Sequence, residues 1–107
     1  MRVTLKNKAL KSRSYLQGIY QPSSTVNGRP SWTTASSAIW YIPKFKEWAI
    51  GTLDNIGTPY KGIKSEEVDE LVDPQNVVSW QYYTGIWNST DDKNDIVVGK
   101  SLKPVNP

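Results

Sequence analysis

The chain contains no histidine and no cysteine. Without histidine, a Ser-His-Asp triad, imidazole acid–base catalysis and most zinc sites are excluded. Without cysteine, disulfides, thiolate metal sites and thiol nucleophiles are excluded as well. Carboxylates remain as possible catalytic groups or calcium ligands, but only proximity recommends those of residues 54–70, and the Asp91–Asp95 loop does not match a calcium-binding loop. We therefore expect no catalytic residues, no metal ligands and no cofactor, and we predict that the protein is not an enzyme.

Long apolar runs are also lacking. Residues 1–15 carry charges but no apolar stretch of signal-peptide length, and no segment approaches the roughly 20 apolar residues of a membrane span. The sequence thus predicts neither a signal peptide nor a transmembrane segment and leaves the compartment open. Asn88-Ser89-Thr90 matches the N-glycosylation sequence, which has meaning only in a secreted protein.

Charge is unevenly distributed along the 107 residues, which carry a formal net charge of +3. Half of the ten acidic residues lie between Ser65 and Asp73, whereas residues 2–14 contain basic residues and no acidic one. Such a separation can steer a charged partner, and a solvated surface is the simpler alternative.

The length fits one domain. We predict a basic leader with an edge strand over residues 1–14, a single β domain over residues 15–99, and a linker-like tail over residues 100–107. The leader is assigned because residues 2–14 are basic, and its edge strand because Val3 and Leu5 alternate with polar neighbours. The tail is assigned because two prolines lie near its end.

Short runs of β-forming residues, separated by turn-forming residues, predict six to eight strands. The fold class is therefore all-β, a small antiparallel sandwich or partly open barrel built on a meander. Ala38–Ile42 is apolar on both faces, which predicts a central strand covered on both sides, and Glu47–Ile50 is its partner. Asn27-Gly28 favours a type I′ turn.

Two later segments complete the predicted fold. Val77–Tyr83 alternates apolar and polar residues, so that Trp80 and Tyr82 share a buried face and Tyr83 lies on the polar face. Residues 65–72 fit either one short acidic helix, capped by Ser65, or a loop.

Aromatic residues give the clearest functional signal, since 12 of 107 residues are Trp, Tyr or Phe. Trp40, Trp48 and Trp80 lie in apolar alternation and are predicted to be buried. Trp32, Trp40 and Trp48 are spaced by eight residues, which suits one tryptophan per strand on a shared side of the sheet.

Four residues are candidates for ligand binding. Trp32 and Trp87 lie beside polar turns, and Tyr83 lies on the polar face of its strand. Exposed rings of this kind stack on sugars or anchor partner proteins, and packing at the rim of the core is the alternative for each. Arg29 could stack on Trp32 or contact an acidic ligand.

A set of turn and aromatic residues follows a recognisable order along the chain. It comprises G-x-Y at Gly18–Tyr20, N-G-R-P at Asn27–Pro30, Trp32, Trp40-Tyr41, W-x-I at Trp48–Ile50, Pro74 and Trp80. This pattern resembles an uncharacterised tryptophan-rich β module found in multidomain proteins of protists and invertebrates. The resemblance implies a compact β recognition module without a settled activity. Members of that module often carry cysteines, and this chain has none.

The sequence therefore predicts a non-catalytic binding module, namely a protein-interaction or structural domain of a larger or assembled protein. The alternative is a lectin-like module that binds carbohydrate through Trp32, Trp87 and Tyr83. Nucleic-acid binding through the basic leader ranks well below both. The expected partner is a protein or a glycan, and the oligomeric state is left open.

Overall fold

A computed structural model describes residues 1–100 of the chain. These residues form ten strands and one short helix. The strands are β1 Arg2–Leu5, β2 Gly18–Ile19, β3 Gln21–Pro22, β4 Trp32–Thr33, β5 Ser37–Ile42, β6 Glu47–Thr52, β7 Ile63–Ser65, β8 Trp80–Tyr83, β9 Trp87–Ser89 and β10 Ile96–Gly99, and the helix is α1 Asn7–Leu10. Apart from Lys100, the predicted tail over residues 100–107 lies outside the described residues. Within residues 1–100, no helix is long and apolar enough to cross a membrane.

The strands form two antiparallel sheets. The larger sheet contains β3 to β9 in chain order, so it is a seven-stranded meander. The smaller sheet has the order β10-β1-β2. The chain passes from the smaller to the larger sheet at the buried Tyr20. The all-β prediction is confirmed.

The N-terminal strand is not an edge strand, and this corrects the prediction of an edge strand around Val3 and Leu5 within the basic leader. β1 lies between β10 and β2, and its Val3 and Leu5 are buried. Its pairing with β10 runs from Arg2 opposite Gly99 to Leu5 opposite Ile96. Because the two strands come from opposite ends of the chain, local sequence patterns give no sign of the pairing.

The main core lies between the two sheets. The smaller sheet contributes residues such as Val3 and Ile96, and the larger sheet contributes residues such as Ile50 and Tyr82. Along β8, the buried Trp80 and Tyr82 alternate with Gln81 and Tyr83, which are less buried, and this confirms the predicted faces of the strand. We call the side of the larger sheet that points away from this core the outer face.

A second, smaller core covers part of the outer face. Ala38, Trp40 and Ile42 of β5 form it with Ala49 of β6. Side chains from the loops that flank these strands close over it, namely Val26, Leu53 and Ile56. The prediction that Ala38–Ile42 is covered on both faces is therefore confirmed.

The three tryptophans predicted to be buried are buried, but the prediction of a shared side is wrong. The four-residue turn between β5 and β6 places Tyr41 opposite Trp48 and Trp40 opposite Ala49. Trp40 therefore points into the smaller core and Trp48 into the main core. Trp32 lies opposite Ile39 and shares the face of Trp48.

Asn27-Gly28 forms the predicted tight turn. Both residues have positive φ angles, 53° and 80°, and the flanking Val26 and Arg29 are bridged. The side-chain amide of Asn27 donates to the carbonyl oxygen of Tyr41 at 3.0 Å, which ties this turn to the end of β5.

The acidic segment is a loop, and the helix considered for residues 65–72 does not form. Its backbone is held by other partners. The Val68 amide donates to the carbonyl of Lys46, and the Val68 carbonyl accepts from the Tyr41 hydroxyl at 2.8 Å. The Val72 carbonyl accepts from the indole N–H of Trp48 at 2.6 Å. Tertiary hydrogen bonds thus outweigh the weak helical preference of so short a segment.

Candidate functional site

The outer face is open over strands β7 to β9. Tyr82 is buried in the main core, so the next residue, Tyr83, points outward. The registers place Trp87 opposite Tyr83, and Lys64 opposite the outward-facing Gln81. The meander therefore gathers aromatic, basic and amide side chains on one surface.

Tyr83 and Trp87 form an aromatic pair on this surface. Their ring centres are 5.0 Å apart and their planes are tilted by 50°. Tyr83 is 46% exposed and Trp87 is half-buried. Two of the four sequence candidates are thus neighbours across one hairpin.

Lysine ammonium groups lie over the neighbouring rings. The nitrogen of Lys64 is 4.6 Å from the centre of the Trp87 ring, and that of Lys61 is 5.6 Å from it. Lys61 is also 5.1 Å from the centre of the Phe45 ring, and Lys44 is 5.6 Å from it. Cations at these distances are attracted by the ring quadrupole.

These side chains line a pocket of about 520 Å³ that we call the lysine–aromatic pocket. It is lined by Lys44, Phe45, Lys46, Glu47, Lys61, Lys64, Glu67 and Trp87. Four lysines thus face two glutamates, which gives the pocket a positive balance. An anionic group is the ligand that such a lining favours.

Lys61 holds the pocket together and is itself fully engaged. Its ammonium group lies 2.6 Å from a carboxylate oxygen of Glu47, and both side chains are almost fully buried. It also donates to the carbonyl of Pro59 at 3.0 Å. Removing one partner of a buried ion pair leaves an unpaired charge and is strongly destabilising. We therefore assign Lys61 a structural role.

Small residues on β6 make room for this arrangement. The chain at Tyr60 and Lys61 runs close across the outer face of β6 at Gly51. A methyl group at Gly51 would lie 3.2 Å from the Cα of Lys61 and 3.1 Å from the Trp40 ring. The absence of a side chain at Gly51 thus lets Lys61 reach Glu47 on the same strand.

Three lysines of the pocket remain available to a ligand. Among the ion pairs of residues 1–100, none involves Lys44, Lys46 or Lys64. Glu47 is neutralised by Lys61, so Glu67 is the remaining acidic group of the lining. The pocket therefore keeps a net positive charge after its internal ion pair is formed.

Trp32 and Arg29 lie elsewhere, so the structure divides the predicted site. Trp32 is half-buried, and its ring centre is 5.9 Å from that of Trp48 on the core side of the sheet. The Arg29 guanidinium lies 5.8 Å from the centre of the Trp48 ring, whereas stacking on Trp32 was one of the two alternatives considered for it. Arg29 forms an ion pair with Asp73 at 3.2 Å. Arg29 therefore helps to hold the acidic loop, and Trp32 packs against the main core.

Arg13 anchors the backbone at Tyr83, which carries part of the site. Its guanidinium donates to the carbonyl oxygens of Ala9, Lys8 and Tyr83 at 2.8, 2.7 and 3.0 Å. It also lies 4.7 Å from the centre of the Tyr82 ring. The basic leader is therefore folded against β8, and Arg13 fixes the strand end that carries Tyr83.

Sequence reasoning missed Phe45 and the lysines of the pocket. The alternation Lys44-Phe45-Lys46 in a turn was the available signal, because it places an aromatic ring between two cations. No comparable signal marked Lys61 and Lys64. Their proximity to Trp87 follows from the registers of β6 to β9, which sequence alone does not give.

Two tyrosines have shifted pKa values and neither lines this pocket. Burial raises the pKa of Tyr20 to about 12. Burial, followed by the nearby carboxylates of Asp69 and Glu70, raises the pKa of Tyr41. Both groups are therefore neutral at physiological pH and act as hydrogen-bond donors within the fold.

Within residues 1–100, no three His, Cys, Asp or Glu side chains are grouped so that they could hold a metal ion. Comparison with protein families, curated proteins and solved structures finds no significant match for this chain. The lysine–aromatic pocket is therefore the feature of this chain that bears on its function.

Proposed function

We propose that the protein is a non-catalytic binding module that engages an acidic segment of a partner protein through the lysine–aromatic pocket. The observation that carries this proposal is the position of Lys64, whose ammonium group lies over the Trp87 ring and has no ion pair among residues 1–100. A carboxylate that approaches the ring would meet a cation already held in place.

The lysine side chains are already restricted in the free protein, which favours affinity. A free lysine side chain loses much rotamer entropy when it binds, about 2 kcal/mol at most. The rings of Trp87 and Phe45 restrict Lys64 and Lys44 before a ligand arrives. Part of the ordering cost is therefore met in the free protein.

The same contacts argue against neutral sugars as the main ligand. A sugar ring stacks on an open aromatic face. Lys64 and Lys61 lie over the Trp87 ring, and Tyr83 packs beside it. A neutral sugar would have to displace a cation without replacing its interaction.

An acidic carbohydrate is the second candidate, and the exposure of Tyr83 favours it. Tyr83 is open beside Trp87, so a uronic acid or sulfated sugar could place its ring on Tyr83 and its charge near Lys64. Nucleic acid ranks lower, because the leader that was expected to bind it is folded into the smaller sheet and α1.

The test is a binding titration with a short blocked peptide of alternating glutamate and valine. Binding is measured by Trp fluorescence and by calorimetry. The variant is Lys64→Glu, and the matched control is Lys11→Glu, which changes the charge equally at an exposed position away from the pocket. We expect Lys64→Glu to weaken binding about tenfold or more, and Lys11→Glu to weaken it less than about threefold.

Further titrations with a sulfated polysaccharide and with single-stranded DNA separate the candidates. Binding of the polysaccharide alone, lost in Lys64→Glu, would establish the second candidate in place of the first. Equal losses in Lys64→Glu and Lys11→Glu would mean that only net charge matters, and would contradict the pocket as the binding site.

A further inference from the structure

Strand β9 is an edge of the larger sheet beside the lysine–aromatic pocket. Within residues 1–100 it pairs only with β8, and it is the last strand in the sheet order. Its residue Trp87 is both an edge residue and a wall of the pocket. A ligand at this edge would therefore also contact the pocket.

The directions of the backbone groups of β9 follow from the hydrogen bonds around it. The Tyr83 amide donates to the Gly62 carbonyl on the β7 side, so the Tyr83 backbone faces away from β9. By alternation, Tyr82 faces β9, where it lies opposite Asn88. Trp87 and Ser89, which flank Asn88, therefore direct their N–H and C=O groups toward the free edge.

The hairpin turn gives the same directions for the backbone groups of β9. The Thr84 amide donates to the Ile86 carbonyl, so these two residues face each other across the turn. The backbone N–H and C=O groups of Ile86 and Asn88 point to the same side of the strand, toward β8. Those of Trp87 therefore point to the opposite side. Two donors and two acceptors, spaced as in a sheet, thus line the outer edge of β9.

This edge lacks two of the usual protections against strand addition, namely proline and charged residues. Natural edge strands are also protected by a covering segment or by being very short, and β9 has three residues. The opposite edge of the same sheet, β3, ends in Pro22. β9 has the sequence Trp-Asn-Ser, without proline or charge, and the adjoining Ile86 is 69% exposed.

Resting on the function proposed above, we infer that the acidic partner segment binds as an extended strand that adds to β9. An added strand lies about 4.8 Å from β9 and turns every second side chain toward the outer face. Those side chains lie beside Trp87, where the Lys64 ammonium is held. The partner is therefore an extended peptide with acidic residues at alternate positions.

The inference is tested with two modified versions of the blocked glutamate–valine peptide. One carries N-methyl groups on all glutamates, and the other carries them on all valines. In an added strand the N–H groups of alternate residues point to the same side, so only one of the two sets faces β9. We expect one modified peptide to bind about tenfold more weakly or worse and the other to bind like the parent.

A variant of the protein gives a second measurement. Ser89→Pro removes an edge-facing N–H, and proline is tolerated on edge strands. We expect near-UV circular dichroism to stay native and binding of the parent peptide to weaken by a similar factor. The discriminating result remains that of the peptides.

The failure of this inference differs from the failure of the proposed function. If both N-methylated peptides bind like the parent while Lys64→Glu weakens binding, the pocket is the site and strand addition is wrong. If both modified peptides lose binding equally, one-sided pairing is contradicted as well. If the parent peptide does not bind at all, the proposed function itself is wrong.

Discussion

At the scale of single residues, Arg13 shows how a charged side chain from a basic segment becomes structural. It is buried, and among residues 1–100 it forms no ion pair. Instead it donates to three backbone carbonyls that belong to two distant segments, α1 with its neighbours and β8. The planar guanidinium suits this role because it presents several donors in a fixed geometry.

We predict that Arg13→Lys lowers the free energy of unfolding by about 2 kcal/mol and that Arg13→Ala lowers it further. A lysine ammonium cannot reach the three carbonyls together, so some of them stay unpaired. Chemical denaturation provides the measurement, with the exposed Arg2→Lys as the control. A change of less than about 0.5 kcal/mol for Arg13→Lys would contradict the role assigned to Arg13.

The residue scale also shows what sequence patterns can and cannot give about a site. The alternation of Trp80 to Tyr83 predicted that Tyr83 faces outward, because strand faces alternate with a period of two. Trp87 was a candidate from its polar neighbours. Lys61 could not be assigned, since it lies in the loop between β6 and β7 and its pairing with Glu47 of β6 depends on how that loop folds back.

At the scale of elements, the β5–β6 hairpin organises both cores. Its composition predicted a central pair of strands, and each face of β5 now belongs to a separate core. The spacing of the tryptophans misled because the register depends on the turn between the strands, and a shift of one residue exchanges the two faces. Gly51 on β6 is the point where this hairpin meets the lysine–aromatic pocket.

We predict that Gly51→Ala destabilises the protein by about 1–2 kcal/mol. The added methyl group would press on the Lys61 backbone and the Trp40 ring. Gly99→Ala is the matched control, because a methyl group at Gly99 in β10 would meet no atom within 4 Å. Thermal and urea unfolding of both variants measure the difference. Equal stabilities of the two variants would show that residues 60–61 do not pack tightly against β6.

At the scale of the whole molecule, two sheets are joined by contacts that span the chain. The pairing of β1 with β10 closes the smaller sheet, and Tyr20 lies where the chain crosses to the larger one. The sequence predicted the all-β class because turn residues and β-formers are local signals. It did not predict the central place of β1, because that place depends on a strand almost a hundred residues away.

Tyr20 makes the stability of the whole fold sensitive to alkaline pH. Burial raises its pKa from 10.0 to about 12, so the folded state favours the neutral phenol. This contribution to stability is complete below about pH 10 and is lost as the pH rises toward 12. At about 1.4 kcal/mol per pKa unit, we expect a loss of roughly 2–3 kcal/mol over that range.

The measurement is urea unfolding of wild type and Tyr20→Phe at pH values from 8 to 12, a range that brackets the shift of Tyr20. Tyr20→Phe should be less stable at the lower pH, since its ring no longer donates to the Leu16 carbonyl. The gap between the two proteins should narrow as the pH rises. Tyr60→Phe, at an exposed position, should follow wild type throughout. A constant gap for Tyr20→Phe would contradict the shift.

The charge distribution of the whole molecule also bears on binding. The acidic loop does not form a separate face, because Glu67 lines the lysine–aromatic pocket and Asp69 and Glu70 line a groove with Lys46. A partner with acidic side chains is therefore attracted by Lys44 and Lys64 and repelled along the loop. This arrangement favours approach from the β9 side.

The central claim is that acidic ligands bind at the lysine–aromatic pocket, and NMR titration with the blocked glutamate–valine peptide tests it most directly. The chain has five indole N–H signals, and those of Trp87 and Trp40 report on the pocket and on the smaller core. We predict that the Trp87 indole and the Phe45 and Lys64 amides shift, while the Trp40 indole, bonded to the Thr58 carbonyl, stays in place. Shifts centred on Trp32 and Arg29, or none at millimolar peptide, would contradict the claim.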